Sequence, residues 1–226
     1  KDFLQNILSN DVDKANTSNT IYSAIFTPQG KYLYEFFLIK TNDGYFLDCD
    51  NEVIREIVSH LSKYKLRSNV DIKDLSSSFI VGVINLDKFK EIQISEKNKN
   101  NTIFYRESFL FVDPRNPNLG VRIISNLEKI YLTIKKLNLI IVDNLDYINR
   151  SHTLGIPAKG TVHLKDQLFG LEANFEELGA IDFKKGCYVG QENTARMKLK
   201  NKVRRRLLAI KTKINLNTGS ELIFNN

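Results

Sequence analysis

The sequence has no tryptophan, one methionine, two cysteines, three histidines and four prolines in 226 residues. Cys49 and Cys187 form no CxxC, and His60, His152 and His163 offer no metal-ligand spacing, so no metal site is expected. A disulfide stays open, but a chain of this size does not need one, and a reducing intracellular compartment is the expectation. Eleven glycines and four prolines beside 9 Tyr and 14 Phe exclude collagen-like and disordered chains. No stretch approaches the roughly 18 apolar residues of a membrane helix. The densest apolar runs, Phe36–Ile39 and Leu139–Val142, are strand-length. Neither a signal peptide nor an arginine-rich transit segment is read at the start, which runs Lys1-Asp2-Phe3 with no Met. What is present is a 42% hydrophobic composition, enough for the core of a soluble globular protein of one large domain or two ordinary ones.

The formal charge of +7 is local. Residues 184–213 hold seven Lys and four Arg against one acid, Glu192, and the rest of the chain is slightly acidic. An anionic partner is therefore expected there, at 198–206 above all, where RNA, an acidic protein or a polyglutamate tail could touch. The default reading of that stretch is a half-solvated helix running into a strand, with Leu199, Val203, Leu207 and Leu208 interleaved among the charges.

The chain reads as a short helix at 3–9, strands at 21–26, 31–39 and 45–49 around the turns Thr27–Gly30 and Thr41–Gly44, and an amphipathic helix at 53–64. Further strands are expected at 79–84, 89–94, 102–112 and 121–124, then a second helix at 127–137. Strands, a helix and strands again suggest an α+β fold with a duplicated unit. Beyond 143 the pattern changes: a helix at 143–154, a loop-rich stretch at 158–183, a helix at 191–199, and short strands at 207–210 and 221–224. The expected boundaries are 1–142 for an N-terminal α+β part, 143–202 for its completion, and 203–226 for the start of a small β domain.

Chemistry concentrates in Lys185-Gly186-Cys187-Tyr188-Val189-Gly190-Gln191-Glu192. A thiol between two glycines just before a helix suits a tight turn around an exposed sulfur. Two preceding lysines and the helix N-terminus would favour its thiolate. The plainer reading is a small buried residue in a turn, as most free cysteines are. Gln191 and Glu192 can pair with the amide-like and amino edges of a heterocycle, or simply open the helix.

This octapeptide resembles the signature of the YgfZ-type folate-binding proteins, kin of the glycine-cleavage T-protein aminomethyltransferases. An ordered series agrees with it along nearly the whole chain. Phe3-Leu4-Gln5 with Ser9-Asn10-Asp11-Val12 resembles the family's opening. Gln29-Gly30-Lys31 with Leu33-Tyr34-Glu35 resembles its QGR turn. Leu61–Val70, Asp113-Pro114-Arg115 with Leu119-Gly120 and Arg122, and Gly155-Ile156-Pro157 with Glu172 and Asn174 follow. The resemblance implies a T-protein-like folate-binding fold of antiparallel sheets and packed helices, followed by the start of a β-barrel domain. It implies tetrahydrofolate as ligand in a central funnel, and a part in assembly or repair of iron–sulfur clusters that reaches tRNA thiolation indirectly. Iron–sulfur assembly proteins or client enzymes would be the partners, with no membrane, in bacterial cytoplasm or, in a eukaryote, the mitochondrial matrix. Cys187 inherits the role of the functional thiol. Glu172 matches an acidic position facing the pterin, Tyr147 an aromatic before Gly-x-Pro that could stack on the ligand or merely pack, and Arg122 a candidate anion contact.

Three departures stand out. The aminomethyltransferases carry an Asp pair where this chain has Leu33-Tyr34-Glu35, which argues against aminomethyl transfer as its activity. Asn6 replaces the Gly of the opening and Ser9 its Thr. For Asp113-Pro114-Arg115 a purely structural reading is preferred, the Asp opening a turn and the Arg pairing back to it. His60 reads as structural.

Overall fold

The computed structural model describes residues 1–158 and 160–223. Strands β1 (Ile21–Phe26), β2 (Tyr32–Lys40) and β3 (Tyr45–Asp48) form an antiparallel meander in that order. The register slips between Ile25 and Phe26, passing over Leu33. Such a bulge turns the following side chain to the other face. Tyr34, Phe36 and Leu38 therefore share one core, while Tyr32 joins Phe37 and Ile39 in another. The outer core is completed by α1 (Asp2–Gln5) and by α2 (Ile54–Lys65), which buries Ile57 and Leu61.

The second sheet runs in the order β4 (Ile80–Ile84), β7 (Val121–Ser125), β6 (Ser108–Val112), β5 (Thr102–Tyr105), every neighbour antiparallel. Helices α3 (Leu86–Ser95) and α4 (Leu127–Lys136) cover its outer face with Phe89, Ile92 and Ile130. The inner faces of the two sheets meet in a central cluster. Tyr22, Phe26 and Phe37 come from the first sheet, Phe111 and Ile124 from the second, and Leu171, Phe175, Ile181 and Tyr188 from the irregular segment that follows α5 (Leu145–Thr153). Phe26, Phe36, Phe89, Phe111 and Phe175 are fully buried; each contributes about 1.5–3 kcal/mol of transfer free energy. The result is the expected α+β architecture of antiparallel sheets with packed helices.

Two expectations along the chain are corrected. The strand expected at 89–94 is instead part of α3. Leu86, Phe89 and Ile92 stand at helical spacing, and the Asn85 side chain accepts the Lys88 N–H as an N-cap. The expected strand 102–112 is a hairpin, with Arg106 and Glu107 at its tip both at positive φ. That tip lacks the Asn-Gly pair that announces such turns.

At the other end, Leu207–Ile210 has no strand partner among the described residues. Its one ladder-like bond is from the Leu207 N–H to the Glu172 carbonyl. A β segment without a neighbour has nowhere to place its backbone hydrogen bonds, so 203–223 carries none of the strands expected for a β domain, and Phe224 of the last one lies outside the described residues. Leu139–Val142, strand-length and apolar, is likewise in no strand, and Ile140, Ile141 and Val142 are exposed, Ile140 at 86%. No described helix is long and apolar enough to cross a membrane.

Candidate functional site

Cys187 is exposed, while its neighbours Lys185, Tyr188 and Gly190 are buried. The loop is held from beneath by the opening segment of the chain. Lys185 Nζ donates to the carbonyls of Gln5 (2.7 Å), Leu8 (2.5 Å) and Asn10 (3.2 Å), and sits 5.0 Å from the centre of the Tyr188 ring. The Val189 N–H donates to Asn6 O, and the Asp182 N–H to Ser9 O. Ser9 Oγ in turn donates to Ala180 O, and Asn10 Nδ2 to Gly179 O. The two motifs farthest apart in sequence thus form one substructure, and Asn6 and Ser9 serve there through their backbone carbonyls and a hydroxyl.

This placement corrects the expected role of Lys185. Its ammonium points inward to carbonyls, and burial lowers its pKa to about 8. Lys185 thus supplies a donor to the Gln5 carbonyl left at the end of the short α1, and to those of Leu8 and Asn10 beyond it.

The second support is the turn Thr27–Gly30. Gly190, at φ +85°, caps α6 (Gln191–Leu199), and a Cβ on it would stand 2.5 Å from Thr27 O. Asn193 Nδ2 donates to Gln29 O at 2.7 Å. Cys187, Gln191 and Glu192 therefore line one open groove of about 850 Å³ along α6, together with Pro28, Tyr64 and Arg196. Cys49 is different: burial first, then Asp48, Asp50 and Asp74, push its thiol up to about 12.

Arg122 and Tyr147 occupy a second place, between the sheets. Arg115 donates from Nε and Nη2 to the Asp113 carboxylate (3.0 and 2.8 Å) and from Nη2 to Tyr147 Oη (3.0 Å). Arg122 Nε donates to Asp48 (2.7 Å), and its Nη1 reaches Tyr147 Oη at 3.5 Å. Both guanidinium groups lie over the Phe37 ring, at 4.8 and 4.7 Å. Burial opposes both charges, but the carboxylates outweigh it and raise both above the ordinary arginine value. The Asp113–Arg115 pair is thus the loop-fixing contact expected. Beside it Glu35 accepts from Tyr22 Oη (2.6 Å) and Thr161 Oγ1 (2.7 Å). Burial raises its carboxyl; Tyr22, Thr161 and Arg115 oppose the rise. Neither Arg115 nor Glu35 was singled out as a ligand group from sequence, since nothing local marks a charge that will be buried.

Glu172 stands in a third place. It is 4% exposed, accepts the Phe169 N–H at 3.0 Å, and takes both arms of Arg205, Nε and Nη2, at 3.1 Å each. The expectation that Gln191 lines one pocket with Glu172 is therefore corrected. Gln191 opens a helix on the outer groove, Tyr147 closes the arginine network, and Glu172 is satisfied by Arg205. The basic stretch also differs from the free patch expected: Arg205 pairs with Glu172, Arg206 with Glu177 and Lys198 with Glu176. Lys200, Lys202 and Arg204 show no ion pair among the described residues. His60 is wedged between Tyr34 and Tyr64, as a structural residue would be.

No family model matches the chain. Among curated proteins it is similar to a mitochondrial iron–sulfur cluster assembly factor IBA57 homologue of Mycosarcoma maydis, 30% identical over 92% of this chain and 51% of that protein. Similar too are the homologue of Dictyostelium discoideum (25%, 92% of this chain, 57% of that protein) and the mouse IBA57 (26%, 86% and 54%). The chain spans about half the length of these relatives. Among solved structures, the aminomethyltransferase T of the glycine cleavage system from Bartonella henselae shares the fold. Its TM-score is 0.65 at 10% identity, over 88% of this chain and 58% of that one. With a T-protein fold and relatives of this kind, the chain belongs to the T-protein-like YgfZ/IBA57 family.

Proposed function

We propose that this protein works in iron–sulfur cluster assembly, in mitochondria like its named relatives, with Cys187 as its working thiol and tetrahydrofolate as its ligand. The observation that carries this reading is the contrast within the motif loop: Cys187 is exposed while Lys185, Tyr188 and Gly190 around it are buried and anchored. A fold that invests three carbonyl contacts and a left-handed glycine in one loop presents the remaining side chain for contact with something outside. Iron–sulfur assembly proteins or client enzymes are the partners this implies, with tRNA modification affected through such clients. The test is rescue of iron–sulfur enzyme activity in cells lacking the protein. Cys49→Ser is expected to rescue and Cys187→Ser to fail; full rescue by stably expressed Cys187→Ser would refute the thiol's role.

For the folate, the donor set fits the pterin edge. Glu172 holds two acceptor oxygens toward a planar pair of N–H donors, here those of Arg205. Tyr147 and Arg122 supply a ring and a cation near the centre of the fold, where Arg122 would meet an anionic part of the ligand. The nearby cavity bounded by Tyr32, Thr161, Phe175 and Leu207 measures about 10 Å³, which is room for about one water. The ligand therefore needs that cavity to open. Fluorescence titration with tetrahydrofolate tests the reading, and no binding of any reduced folate to the folded protein would end it.

A second reading, one-carbon transfer on tetrahydrofolate, has Glu35 in its favour. A carboxyl whose pKa burial raises, and which two hydroxyls hold by hydrogen bonds, is suited to general acid–base work. Glycine-cleavage activity in a reconstituted assay, lost in Glu35→Gln, would establish it. Polyanion contact would rest on Lys200, Lys202 and Arg204, the basic side chains of 198–206 that have no acidic partner among the described residues.

A further inference from the structure

The segment 203–207 runs as a strap past the small cavity bounded by Tyr32, Thr161 and Phe175. Leu207 is one wall of that cavity. The strap is tied at both ends of its backbone unit: the Leu207 N–H donates to Glu172 O at 3.0 Å, and Asn174 Nδ2 donates to Leu207 O at 2.6 Å. Arg206 reaches Glu177 and Asn174. Beyond Leu207 the chain is exposed through Leu208 and Ile210, and before it Lys200–Lys202 are exposed as well. The attachment is thus confined to a few residues: Val203 packs against the central cluster, Leu207 lines the cavity beside Ala173 and Phe175, and Glu172 is the buried partner of the strap's charge.

The burial is lopsided. The Arg205 side chain is 61% exposed, while that of Glu172 is 5% exposed. An exposed arginine loses little when it leaves, because water solvates it. A buried carboxylate left behind is costly unless another donor replaces the one lost. What replaces a guanidinium best is another planar edge with two parallel N–H groups. A 2-amino-4-oxopyrimidine ring presents such an edge, since its 2-amino group and ring N–H are part of a cyclic guanidine.

We propose that Arg205 is an intramolecular stand-in for the ligand: it occupies the acceptor pair of Glu172 until a cyclic-guanidine edge displaces it, and its release swings Leu207 away and opens the cavity. This rests on the reading of Glu172 as a ligand-binding carboxylate. Occupancy by the strap reduces apparent affinity by the fraction of molecules in which it is closed. If it is closed in nine molecules of ten, removing the arginine arm tightens binding about tenfold.

The experiment uses the full chain and two probes, tetrahydrofolate and the minimal edge 2-amino-4-hydroxypyrimidine, with amide hydrogen exchange at Leu207 as the structural readout. Arg205→Gln leaves buried Glu172 short of a donor, so its fold is checked by circular dichroism and thermal unfolding before binding is measured. It is expected to bind both probes about tenfold more tightly and to exchange Leu207 faster without any probe. In the wild type each probe should speed Leu207 exchange, and in Glu172→Gln neither should. If tetrahydrofolate binds in a Glu172-dependent way but Arg205→Gln binds no more tightly and Leu207 stays protected, the strap is refuted and the folate reading stands. If tetrahydrofolate does not bind while the pyrimidine still releases Leu207, the folate reading falls and the strap stands. If neither probe moves Leu207 and Arg205→Gln binds neither, both are refuted.

Discussion

A methyl group on Gly190 would stand 2.5 Å from the carbonyl oxygen of Thr27, and Gly30 of the same turn lies 3.2 Å from it. The Gln29-Gly30 turn and the Gly190-Gln191-Glu192 helix start, 160 positions apart in the chain, touch backbone to backbone. Each glycine is required by the other's approach and by its own positive φ.

Gly190→Ala is therefore expected to cost stability on two counts, a backbone clash and a left-handed conformation. The loss should be about 1–3 kcal/mol in urea unfolding. Gly186→Ala, where a Cβ meets nothing within 4 Å, is the control and should stay near wild type.

Thiol alkylation at pH 7 should mark Cys187 and spare Cys49. Held at about 12 by burial and three aspartates, Cys49 carries about a thousandfold less thiolate than a thiol at the ordinary value near 8.5. Mass spectrometry after a short iodoacetamide pulse reads the difference, and equal labelling of the two sites in the folded protein would contradict it.

Lys185 should leave a signature in the pH dependence of stability. Burial lowers its folded value to about 8, against 10.5 unperturbed. Between these values the unfolded chain still binds the proton that the folded one has released, so this group's contribution rises with pH across that window. Unfolding free energies of wild type and Lys185→Met, measured from pH 7 to 10.5, should diverge upward for the wild type. A constant difference would place the folded and unfolded values together.

Arg115→Ala strands the Asp113 carboxylate, which is 1% exposed and paired to Nε and Nη2 of that guanidinium. Breaking a buried pair from one side costs about 3–5 kcal/mol. The double variant Arg115→Leu with Asp113→Leu should recover most of that loss, as measured by thermal unfolding. A single variant as stable as wild type would mean the pair adds nothing.

Local pattern made much of this legible. The Thr27–Gly30 turn, the apolar periodicity of α2 and α4, and the motif at Lys185–Glu192 all depend on neighbours within a few residues. α3 was misread because Ile92-Gln93-Ile94 satisfies strand alternation as well as helical spacing, and only the burial of Phe89 and Ile92 under the second sheet decides between them. The Arg106–Glu107 turn was invisible because it uses residues that pay a conformational cost for positive φ.

By itself the sequence determined the α+β class, the antiparallel meander and the family, since each is written in spacing, composition or a contiguous motif. Only the tertiary structure decided where the charges went. Lys185 turned inward to Gln5, Leu8 and Asn10, Arg205 closed on Glu172, and Arg115 met Tyr147 of α5. The physical reason is that a buried charge is placed by whichever partner offsets its desolvation. That partner is chosen by the packing of distant segments, which no local pattern records.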